Sequence, residues 1–79
     1  MADARRLMEY GFPEPVAVEM VKQIEAGAGD ARRLKELGIV PLLAEELATQ
    51  VEGTASAPRL VDFGMVPDQA VEVARQINA

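Results

Sequence analysis

Three polar columns carry whatever chemistry this chain holds. Arg6, Arg33 and Arg59 recur at one position of a repeated segment, Glu19, Glu46 and Glu72 at a second, and Gln23, Gln50 and Gln76 at a third. Glutamate and glutamine stand four residues apart, so on a helix they share a face. A guanidinium set opposite that face makes a charge-assisted fork. Two uses follow. Within the chain, Arg on a short helix meets Glu on a longer one across a single hairpin, with Gln one turn beyond; this fixes the interhelical angle even where the pair adds less than about 1 kcal/mol at an exposed site. Outside it, the triplet forms three equivalent patches that grip a repeating partner such as a symmetric lattice.

Catalysis finds little to work with. The chain has no histidine and no cysteine, and its hydroxyls are Thr49, Thr54, Ser56 and Tyr10. A serine or threonine nucleophile therefore lacks its usual base, and Ser56 sits where a helix cap is expected. Glu9, Glu45 and Glu46 fall on faces that read as solvated. The linkers hold glycine, alanine and threonine in place of the dense oxygen ligands a calcium or magnesium site requires. No cofactor, metal or enzymatic role is expected.

The elements that position the polar columns are written three times. Residues 3–25, 30–52 and 56–78 follow one template, and the first two copies agree at 11 of 23 positions. Ala26 to Gly29 and Gly53 to Ala55 separate them. A repeat of this length means stacked supersecondary units that cannot bury their apolar faces alone. Residues 1–79 thus read as a single domain of three repeats.

Each unit opens on a residue able to cap a helix with its side-chain oxygen: Asp3, Asp30 or Ser56. A short helix follows and ends before Gly11, Gly38 or Gly64, where a missing Cβ admits the left-handed turn. Pro15, Pro41 and Pro67 then mark the first turn of a longer helix of about 12 residues, where a missing amide is tolerated. Its apolar residues recur at i, i+3, i+4 and i+7: Ala17, Met20, Val21 and Ile24 in the first unit, Ala44, Leu47, Ala48 and Val51 in the second, Ala70, Val73, Ala74 and Ile77 in the third. Leu7 and Tyr10, Leu34 and Leu37, and Leu60 and Phe63 form the facing stripe on the short helix. The spacing predicts an all-α fold of three tandem helix-turn-helix hairpins, about six helices, as either a bent stack or a compact cluster.

Breaks in the pattern point outward. Val18 and Val71 lie off the predicted stripe, where the middle unit has Glu45 and carries Leu42 and Leu43 one turn earlier. End units of a solenoid are expected to be more polar than the middle one, so this surplus apolar area at both ends marks Val18 and Val71 as candidate partner-binding residues, and Leu42 and Leu43 of the middle unit join them as candidates. The net charge of −5 argues against nucleic acid, whose binding depends on cations displacing phosphate counterions, and favours a neutral or basic protein surface. No secretory-signal plan and no bilayer-length apolar run is present. The expected location is a cell's soluble interior or a particle assembled there.

Three resemblances bear on function. The run from Leu34 to Ala44, LKELGIVPLLA, resembles the helix-hairpin-helix element of proteins that grip DNA backbones, yet the position of that motif's second glycine holds Pro13, Val40 and Val66. Leu7 to Phe12 followed by Ala17 resembles the loop and second helix of ubiquitin-associated domains, which implies ubiquitin contact through Tyr10, Gly11 and Phe12; Tyr10 stands where that loop has methionine. Across its whole length the chain is similar in style to small acidic accessory proteins of tailed-phage particles, which decorate capsids or serve as head components. That similarity implies a non-enzymatic module binding a shell protein or itself.

Overall fold

The computed structural model of the chain describes residues 2–79. Six helices and no strand occur among them: α1 (Ala4–Glu9), α2 (Glu14–Ala26), α3 (Ala31–Glu36), α4 (Pro41–Val51), α5 (Ala57–Asp62) and α6 (Pro67–Asn78). They pair as the repeats predict, α1 with α2, α3 with α4 and α5 with α6.

The glycine bend is built identically in all three hairpins. Gly11, Gly38 and Gly64 have φ of 105°, 107° and 114°, a region open to glycine at no steric cost. The residue after each glycine donates its N–H back to the leucine carbonyl of the short helix: Phe12 to Leu7 at 3.2 Å, Ile39 to Leu34 at 3.0 Å, Met65 to Leu60 at 3.0 Å. The glycine itself donates to the residue after that leucine. These are the paired bonds of a Schellman ending, in which the two bracketing side chains also touch. Phe12, Met65 and the three leucines accordingly lie in the core, with Ile39 packed against it.

Proline at the first or second position starts each long helix, and the preceding residue's carbonyl accepts the first helical bond, from Ala17, Ala44 or Ala70. These three alanines are fully buried, so the paired helices approach closely at the bend. Asp3 and Asp30 cap α1 and α3 by accepting from the Arg6 and Arg33 amides. Ser56 does not cap α5 with its side chain, contrary to expectation.

The hairpins close on themselves. The α2 helix packs on α3, α4 on α5, and α6 returns to α1. Principal extents of 24 × 23 × 22 Å are those of a ring of three hairpins around a shared core, where a bent stack would be elongated. The core fills in threes: Leu7, Leu34 and Leu60 from the short helices, and Met20, Leu47 and Val73 from the long ones. Each such side chain contributes roughly 2 kcal/mol through burial, and helices of six residues depend on that packing because they are too short to persist alone. Val16 and Leu43 also turn inward, widening the buried stripe by one position toward the bend.

Candidate protein-interaction surface

The three polar columns meet at the seams between hairpins. At each seam a glutamine late in one long helix folds over the first residue of the next unit. The Gln23 amide donates to the Asp30 carbonyl at 3.2 Å while its oxygen accepts the Asp30 N–H at 2.9 Å. Gln50 repeats this on Ser56 at 3.3 and 3.0 Å. Gln76 repeats it on Asp3 at 3.1 and 2.9 Å, across 73 residues of sequence. In every case the same amide also donates to the glutamate four residues earlier at 2.8 Å. An amide side chain suits this place because it offers a donor and an acceptor together, matching the carbonyl and N–H of one residue.

The arginine completes each seam from the following unit. Arg33 Nε lies 3.6 Å from Glu19, Arg59 Nε 3.1 Å from Glu46, and Arg6 Nε 3.5 Å from Glu72. The arginine-glutamate pairing therefore crosses between units, and the expectation of a pair within one hairpin is corrected. Each short helix sits between its own long helix and the preceding one. Successive residues turn by about 100°, so when Leu7, Leu34 or Leu60 faces the core, the arginine before it faces the neighbour. Among the described residues, the ion pair that joins the two helices of one hairpin is instead Lys35 with Glu45, at 3.0 Å.

Glu72 is the most constrained group. Arg75 hydrogen-bonds its carboxylate, with Nε 3.1 Å from one oxygen and Nη2 on the other. This bonding outweighs burial, and with the Gln76 amide and the charges of Arg75 and Arg6 it pushes the carboxyl down to about 2. The same contact raises Arg75 above its already high value. A carboxylate held so firmly as an anion has no proton to give near neutrality. The glutamates and glutamines are mostly buried and bonded, with no buried side-chain polar atom lacking a partner among the described residues. The arginines stack outward, Arg6 over Tyr10 at 5.4 Å and Arg59 over Phe63 at 5.3 Å. These columns hold the ring together. Among the described residues there is no group of acidic, histidine or cysteine side chains placed to hold a metal, and no pocket opens on the surface.

The candidate partner-binding residues divide in two. Val18, Val71 and Leu42 are exposed at 53%, 61% and 67%, and Tyr10 is partly exposed, its backbone carbonyl accepting from Gln69 at 2.9 Å. Leu43 and Phe12, each 7% exposed, belong to the core, so neither presents a side chain to a partner. Phe12 is held there by the bend, as the residue that must pack back on Leu7. Met8 and Val61, at 41% and 37% exposed, were not singled out from the sequence. They occupy the repeat position of Lys35, just as Val18 and Val71 occupy that of Glu45. The position that makes an ion pair across the middle hairpin is apolar on both helices of the outer two. Aligning the units with Lys35 and Glu45 read as a pair would have found it. Set against protein-family models, curated proteins and solved structures, the chain matches none.

Proposed function

We infer that the protein is a non-enzymatic protein-binding module that acts as a component of a larger assembly, through the outer faces of its first and third hairpins. One observation carries this reading. The middle hairpin folds with Lys35 and Glu45 at positions where its neighbours place Met8 with Val18 and Val61 with Val71. The fold therefore does not require apolar side chains there, and four exposed ones on the two hairpins that meet at the α1–α6 seam serve the surface. Contiguous exposed apolar side chains mark interaction sites, and Met8 with Val18, like Val61 with Val71, occupy the positions at which Lys35 and Glu45 touch. The net charge of −5 favours a neutral or basic partner surface, and the seams already engage the glutamates and glutamines. The similarity in style to accessory proteins of tailed-phage particles adds a setting, a shell whose protein this module would decorate.

Transplanting the middle hairpin's own solution tests it. The variant Met8→Lys, Val18→Glu, Val61→Lys, Val71→Glu should keep native helicity and thermal midpoint, since both ion pairs have a precedent in the same ring. In native extracts of the source cell the unchanged protein should migrate within a large complex and the variant outside it, as a small free species. Equal migration of the two would refute this reading.

A further inference from the structure

Of the three seams, two join units that are linked in sequence, and the third, between α6 and α1, joins the last hairpin to the first. Its chemistry repeats theirs: the Gln76 clasp on Asp3, Arg6 on Glu72, and an additional bond from Gln69 Nε2 to the Tyr10 carbonyl at 2.9 Å. Nothing in that seam distinguishes a first hairpin of the same chain from one supplied by another molecule. The linker that would release the first hairpin contains Gly27, with φ of 64° and open space around its Cβ position, followed by Ala28. Glycine there gives the chain a hinge with ready access to extended conformations. Gly29 stays anchored, its N–H donated to Glu52 at 2.9 Å and its α-carbon pressed against the backbone of Ala48. The hinge is thus confined to two residues.

We propose that the α1–α6 seam is a docking surface for the first hairpin of a second copy of this chain, so that two molecules exchange residues 2–26 about Gly27 and Ala28 and form a reciprocal dimer. Each ring of that dimer contains three hairpins, two from one copy and one from the other. The contacts between hairpins are remade, and the linker alone changes conformation, giving up the bonds of the Gly27 and Ala28 N–H groups to the Ile24 and Gln23 carbonyls; exchange of identical elements under that condition is a low-cost route to a dimer.

Charge reversal at the seam separates exchange from self-closure. One full chain carries Arg6→Glu and a second carries Glu72→Arg. Each alone sets like charges together at the α1–α6 seam, in a monomer and in a dimer of itself alike. Mixed in equal amounts and refolded together, the two form a reciprocal dimer in which both seams again join opposite charges. The expected result is a species of twice the monomer mass containing both chains, by light scattering and native mass spectrometry, with a thermal midpoint above that of either chain alone. A mixture that behaves as the sum of its parts, folded or unfolded, overturns the proposal. In the otherwise unchanged chain, deletion of Gly27 and Ala28 prevents the first hairpin from reaching its own ring. That protein should be a helical dimer, and a helical monomer or a loss of helix would equally overturn the exchange.

Discussion

Replacing Gln76 by alanine tests the closure of the ring. The substitution removes two bonds to the Asp3 backbone and one to the Glu72 carboxylate at a residue only 2% exposed. At about 1 kcal/mol per neutral bond and somewhat more for the bond to a charged group, the loss comes to about 3 kcal/mol. A domain of 79 residues has a total stability of roughly 4–12 kcal/mol on the usual per-residue scale, so the variant loses a quarter of it or more. With a urea dependence near 1 kcal/mol per molar, as small proteins show, the unfolding midpoint should fall by about 3 M. Gln23→Ala and Gln50→Ala remove the same three bonds at the other seams and should cost the same to within about 1 kcal/mol. The Gln76→Glu variant sets a second carboxylate against Glu72. Its folded-state pKa is raised, so its deficit relative to the unchanged protein should shrink as pH falls through that value toward the unfolded carboxyl range. Urea titrations followed by circular dichroism read all four variants. If Gln76→Ala costs under about 0.5 kcal/mol while the other two glutamines cost the predicted amount, the third hairpin does not clasp the first in solution.

Gly29→Ala would drive a Cβ against the Ala48 carbonyl oxygen and to 2.6 Å from its Cα, backbone atoms that cannot turn aside. A loss of about 3 kcal/mol or more is expected, whereas Gly53→Ala, with open space and no positive φ, should change stability by less than about 1 kcal/mol. Acid should weaken the ring through Glu72: its carboxyl stands near 2 when folded against an ordinary 4.5, so its contribution is complete above pH 4.5, declines as pH falls to about 2, and is absent below. Urea midpoints across this range should fall less steeply in Glu72→Gln than in the unchanged protein. Removing residues 56–79 opens both the α4–α5 and the α6–α1 contacts, and the remaining two hairpins should show little cooperative unfolding in a thermal melt.

Local structure was the legible part. Aspartate caps, glycine bends, early prolines and the aliphatic stripe each act over a few residues, and each places a hairpin in this ring. Closure was not legible, because a repeat fixes what each unit is and leaves open how far one turns from the next. The arginine column shows this. Arg33 was equally able to face its own long helix or the preceding one on spacing alone, and the turn between hairpins set it on Glu19. Gln76 read as a helper to Glu72, since its second role lies on Asp3 at the other end of the sequence. Phe12 read as a surface residue because the bend that turns it inward is made of backbone bonds, and Leu43 because the buried face of α4 is one position wider toward the bend than the i, i+3, i+4, i+7 stripe. The contrast of outer and middle units, read as that of solenoid ends and centre, loses this basis in a ring with no ends.

The clasp of Gln76 on Asp3 brings the two extremities of the described chain to one place. Four residues separate Glu25 from Asp30 and three separate Glu52 from Ser56; splicing Ala79 directly to Met1 would put three between Asn78 and Asp3 as well. A circularly permuted gene, spliced there and opened between Gly27 and Ala28, would encode the same object starting from its second hairpin. Which unit a ribosome makes first is thus a matter of history for this molecule, and its geometry is indifferent to the choice.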